Sequence, residues 1–88
     1  MIQAVMVTIK VDRTDHEYDM ELPANLKIAE LSSKLLDSFK NIESDMFRTI
    51  ERIKLRFDGE DRFLEDEETL ESACVWDGNI ITVVKEDW

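Results

Sequence analysis

Residues 54–84, KLRFDGEDRFLEDEETLESACVWDGNIITVV, carry strand, turn and capping signals in close succession. Ile53, Leu55 and Phe57 alternate with Lys54 and Arg56, as in a strand with one buried side, and the run stops at Asp58–Gly59. The segment Arg62–Leu64 suits a short strand. Thr69 can cap one helical turn over TLESACV, with Ser72 where a capping box usually has an acid. Trp76–Asn79, WDGN, is a turn signal. Ile80–Val84 is nearly all apolar, which predicts a strand in the middle of a sheet, buried on both faces.

Eight of the fourteen residues 58–71 are carboxylates. Their spacing decides whether they form a site. An EF-hand places acids at alternate positions, then a glycine, then a bidentate glutamate; here the glycine stands second, so the template fails. A pair of hydrolytic carboxylates needs a substrate cleft. An 88-residue chain hides about 60–65% of its unfolded surface, enough for one small core without a deep pocket. The run therefore reads as a solvated turn with capping acids.

Working outward, Val5, Val7, Ile9 and Val11 fall on one face of a strand over residues 4–11. Tyr18, Met20 and Leu22 alternate with Asp19 and Glu21. The two runs flank a polar link, which predicts an antiparallel hairpin ended by Pro23. The period then becomes helical: Ile28, Leu31, Leu35, Leu36 and Phe39 make one stripe, with Asn25 as the expected N-cap. Residues 41–52 stay open between more helix, on Ile42, Met46, Ile50 and Ile53, and a loop that tucks in Met46 or Phe47. Strand, strand, helix, strand, short strand, turn and strand give an α+β two-layer domain. One domain is expected over 1–88, with its core over about 4–85.

Composition narrows function. Twenty-one acids against eleven bases leave a formal net charge of −10. Such a surface repels phosphate backbones and anionic membranes, so nucleic acid is excluded as a partner and a protein is favoured. One cysteine cannot form an internal disulfide. The first twelve residues alternate and lack a basic leader, so no signal peptide is expected. No apolar run nears the roughly 20 residues that span a bilayer. A cytoplasmic location follows. Cys74, between Ala73 and Val75, is expected to be a buried thiol, and the lone His16 an exposed turn residue. No phosphate-binding glycine motif occurs. No catalytic residue, metal site or cofactor is predicted, so the chain is not expected to be an enzyme. Trp76 and Trp88 are aromatic residues of the kind enriched at interfaces.

The order of elements resembles the ubiquitin-like β-grasp, a mixed four- to five-stranded sheet with one main helix on one face. The resemblance is carried by Leu55–Gly59, Leu64, Glu65–Asp66, Thr69–Leu70, Asp77–Asn79 and Ile80–Val84. The front half, YDMELPANLKIAELSSKLLDSF, is similar to small bacterial proteins of the YukD/EsaB type through Asp19, Leu22, Pro23, Ala24, Leu26, Ile28 and Leu31. That family is encoded with the WXG100, or type VII, secretion systems of Gram-positive bacteria. The resemblance spans about residues 5–85. It implies an accessory or regulatory protein acting by protein–protein contact, with the cytosolic part of a membrane component as partner; a free-standing ubiquitin-like adaptor of another complex is the alternative, and the sequence leaves monomer and weak dimer both open. Ubiquitin-like modifiers and sulfur carriers need a terminal Gly-Gly, whereas Gly59 and Gly78 are both internal and the sequence ends VVKEDW. Conjugation is therefore not expected. By the same register Arg56 replaces the central isoleucine of ubiquitin's receptor patch, and Val84 keeps an apolar neighbour. Arg56 and Val84, with Phe47 as an exposed apolar knob, are the expected contact residues, and Arg56 suits an acidic or aromatic partner.

Overall fold

In the computed structural model, which describes residues 3–86, the alternation of the first half becomes a hairpin. Strands β1 (Ala4–Val11) and β2 (Glu17–Pro23) pair antiparallel, from Ala4 against Pro23 to Lys10 against Glu17. Val5, Val7, Ile9 and Val11 all point into the core and are essentially inaccessible. Helix α1 (Ile28–Ile42) buries the expected stripe of Ile28, Leu31, Leu35, Leu36 and Phe39. A single turn, α2 (Ser44–Phe47), leads to β3 (Ile53–Phe57), the two-residue β4 (Arg62–Phe63) and β5 (Ile80–Lys85).

The strands lie in the order β2-β1-β5-β3-β4. β5 runs parallel to β1 and antiparallel to β3, and β4 is antiparallel to β3. The expected α+β sheet is therefore mixed and five-stranded, with α1 across one face. Its most apolar strand is central, as its sequence demands: Ile81 and Val83 are fully buried towards the helix. On the other face Thr82 is 3% exposed, and its hydroxyl donates to Asp58 Oδ1 at 2.8 Å. That bond removes the cost of burying an unpaired polar group.

Two local expectations are corrected and one open segment is resolved. Asn25 does not cap α1; the N-cap position is Lys27, with no side-chain bond. The first helical N–H groups are instead satisfied by main chain from the acidic run, Ile28 N–H to Glu68 O at 2.8 Å and Ala29 N–H to Asp66 O at 3.1 Å. The bend over residues 24–26 is tied down on both sides, because Ala24 N–H bonds Gln3 O, Glu71 N–H bonds Ala24 O and the extended Lys27 bridges Thr69. The helix can begin only past that clamp. Residues 41–52, open between helix and loop, combine the two: α1 ends at Ile42, Glu43 leaves helical geometry, and the single turn of α2 tucks Phe47 into the core. Cys74 is exposed rather than buried, with a left-handed φ of 60°.

The TLESACV turn explains that last correction. Thr69 and Ser72 form the reciprocal capping box: Ser72 N–H donates to Thr69 Oγ1 at 3.0 Å and Thr69 N–H to Ser72 Oγ at 2.9 Å. The turn closes with Cys74 N–H to Glu71 O and Val75 N–H to Leu70 O. This is a Schellman ending with Cys74 in the place usual for glycine, and Leu70 and Val75 packed inward around it. In the WDGN turn Gly78 has φ 89°, which a type II turn demands of its third residue. The Asp77 carboxylate accepts from Met6 N–H at 2.8 Å and ties that turn to β1.

A candidate protein-interaction face

The sheet face away from α1 is assembled row by row from alternate residues. One row crosses all five strands as Glu17, Lys10, Thr82, Arg56 and Phe63. Beside it Val84 stands opposite Lys54, and Ile80 opposite Thr8. The expected residues Arg56 and Val84 thus share one face on adjacent strands. Arg56 is partly exposed, and its Nε lies 3.4 Å from Asp58 Oδ1, the same oxygen that accepts from Thr82. That carboxylate fixes the base of the guanidinium stem.

Phe63 joins this face, although the sequence reading did not assign it there. It is 46% exposed, and Lys54 Nζ stands 5.5 Å from its ring centroid, a cation–π arrangement. The signal was present: with Phe57 and Leu64 both anchored inward, the residue before Leu64 must point out. Lys10, Lys54 and Arg56 therefore gather on one face of a strongly acidic chain, interleaved with Phe63, Ile80 and Val84. This combination suits a partner offering carboxylates beside apolar or aromatic groups. At one end Met6 is 46% exposed, and the turn bonded to its backbone carries Trp76, 47% exposed.

Phe47 does not belong to this face. It is fully buried, stacked on Phe39 with ring centroids 5.0 Å apart, under the Lys85 ammonium at 5.1 Å. The expected apolar knob is a core plug, because the single turn of α2 swings it against Phe39 of α1 and the end of the central strand β5. Trp88 lies outside the described residues.

The acidic run is dispersed by pairing. Arg62 forks onto Glu68 with bonds of 2.9 and 3.3 Å, and its Nε donates to Glu60 at 2.8 Å. Glu68, then Glu60, hold that guanidinium even more firmly protonated than usual. Glu67 pairs with Lys27 at 2.9 Å, which depresses its carboxyl pKa. Among the described residues no three His, Cys, Asp or Glu side chains converge as metal ligands would. No described helix is long and apolar enough to cross a membrane. Elsewhere, Glu43 accepts from the Tyr18 hydroxyl and lies 2.8 Å from His16 Nδ1. The Tyr18 bond, then the His16 bond, lower the Glu43 pKa, and the same carboxylate raises that of Tyr18.

Known proteins agree with this architecture. The ubiquitin-like domain of the Mycobacterium tuberculosis type VII secretion system protein ECCD1 is 19% identical with a TM-score of 0.72, covering 96% of this chain and 100% of that one. A chain of the MycP5-free ESX-5 inner membrane complex matches at TM-score 0.76 and 21% identity, over 96% of this chain and 21% of its own length. Caldiarchaeum subterraneum ubiquitin matches at 0.63 and 20% identity, over 94% of both chains. At these identities the likeness shows the ubiquitin-like β-grasp fold. No curated protein sequence matches the chain. The family model for the WXG100 protein secretion system (Wss) protein YukD matches residues 5–83, and the chain belongs to that family of secretion-associated ubiquitin-like proteins.

Proposed function

We propose that the chain is an unconjugated accessory or regulatory protein of a type VII secretion system. It works in the cytoplasm by binding another component of the machine, and it carries out no chemical step. The observation that carries this reading is the outer sheet face, where Arg56, Lys10 and Lys54 stand among Phe63, Ile80 and Val84 in a chain of net charge −10. The partner is the cytosolic part of a membrane subunit, presenting acidic and aromatic side chains. The similarity to a domain within the ESX-5 inner membrane complex supports that choice of partner. Neither glycine adjoins another, and both serve turns, which supports action without conjugation.

Deleting the gene should alter export of WXG100 substrates, and restoring it with Arg56→Glu should fail to rescue. Unimpaired export in the deletion strain would set the reading aside. Incubation with ubiquitin-activating enzymes and ATP should yield no adenylate or thioester, and formation of either would overturn the unconjugated role.

A further inference from the structure

At its β2 end the sheet changes charge, because the outer face that carries Arg56 on β3 ends there in carboxylates. β2 is the edge strand of the sheet and, among the described residues, pairs only with β1. Its register shows which backbone groups are free. Val11 N–H bonds His16 O, and Ala24 N–H bonds Gln3 O, so the hydrogen-bonded pairs are those of the odd-numbered β1 residues with Tyr18, Met20 and Leu22. Met6 and Thr8, by contrast, turn their N–H groups towards β5. The N–H and C=O of Glu17, Asp19 and Glu21 therefore face outward along the edge, a ladder of three rungs.

Beside this edge lies a groove of about 350 Å³ between β2 and α1, lined mainly by Met20, Leu22, Leu31 and Leu35, with Lys34 and Glu21 among its rim residues. Natural edge strands are blunted by charged side chains, prolines, bulges or short length. β2 has seven residues with a proline only at its end. Its outward side chains are three carboxylates in a column. Glu17 lies 3.9 Å from Lys10, and Asp19 accepts from the Thr8 hydroxyl, while Glu21 is exposed.

We propose that this edge takes an extended segment of a partner protein as an added strand, with alternating Val, Ile or Leu in the groove and Lys or Arg against the acidic column. Main-chain bonds to Glu17, Asp19 and Glu21 supply the pairing, and the two side-chain rows supply the selectivity. Charge decides between occupants. A second copy paired through β2 would set acids against acids, which opposes self-association. A strand of alternating apolar and basic residues meets both rows at once. The carboxylates lie at the β2 end of the same outer face that carries Arg56, three strands away from it, and the strand addition does not depend on the function proposed for Arg56.

The test is an amide-resolved NMR titration of the full chain with an acetylated, amidated octapeptide alternating valine and lysine. Saturable shifts are expected at Glu17, Asp19 and Glu21 and along Leu31–Ser38, with the Arg56 region unmoved. A peptide alternating valine and glutamate should bind at least tenfold more weakly, as should the lysine peptide N-methylated at alternate ladder-facing positions. The double variant Glu17→Lys, Glu21→Lys should reverse the preference between the two peptides, with unchanged shifts elsewhere reporting an intact fold. Several results would each overturn the proposal. They are no saturable shift at millimolar lysine peptide, equal affinity for the lysine and glutamate peptides, indifference to N-methylation, shifts centred on Arg56, or a concentration-dependent dimer through β2.

Discussion

Cys74 shows how one backbone angle outweighs a composition argument. Flanked by buried Ala73 and Val75, it has the setting of a core residue, yet the Schellman ending turns it out at φ 60°. A Cβ in that conformation costs about 1–2 kcal/mol, and glycine forfeits about 0.5–1 kcal/mol of chain entropy. Cys74→Gly should therefore stabilise the protein by about 0.5 kcal/mol in denaturant unfolding. Gly78→Ala, forced into φ 89°, should cost about 1 kcal/mol although open space surrounds it. Glu43 gives a pH signature. Its folded pKa lies below the ordinary value because Tyr18 and His16 stabilise the carboxylate, so its contribution is complete above about pH 4.5 and is lost as pH falls through the depressed folded value. Thermal melts from pH 7 to pH 3 should show a shallower acid limb for Glu43→Gln than for the wild type.

Elements that announce themselves by strict period were legible in the sequence. The β1 alternation and the α1 stripe each came from local pattern, and the apolar run of β5 placed it centrally because only a strand covered on both faces has so little polar surface. The N-terminus of α1 was not legible, because its caps are main-chain carbonyls of Asp66 and Glu68, about forty residues away, and carbonyls carry no residue signature. Asn25→Ala should accordingly change stability by less than about 0.5 kcal/mol, where loss of a true N-cap typically costs about 1 kcal/mol. The break at Glu43 was equally hidden, since no glycine or proline marks it. It turns Phe47 into the core, and Phe47→Ala should cost about 3–5 kcal/mol, a loss read by chemical denaturation. Of the proposed contact residues, Arg56 and Val84 came from the resemblance to ubiquitin's receptor patch, and strand alternation puts both on the face away from α1; Phe63 needed the direction of Leu64.

At the scale of the molecule, charge is sorted by surface. Half of the eight carboxylates of residues 58–71 pair with neighbouring side chains: Arg62 draws in Glu60 and Glu68, Lys27 draws in Glu67, and Asp58 accepts from Arg56 and Thr82. On the outer sheet face Lys54 and Arg56 stand beside apolar side chains, with Asp58 steadying Arg56, while Lys10 pairs with Glu17 towards the acidic β2 end. Reversing Arg56 should leave stability almost unchanged, because surface ion pairs contribute about 0–1 kcal/mol, and should remove the feature a partner reads. The most direct test is quantitative mass spectrometry of proteins co-purifying with the wild type and with Arg56→Glu from the native host, with melting curves for both. The wild type should enrich a membrane component of the type VII secretion system, and the variant should lose it at an unchanged melting midpoint. Recovery of no secretion component by the wild type, or equal recovery by both, would contradict the account.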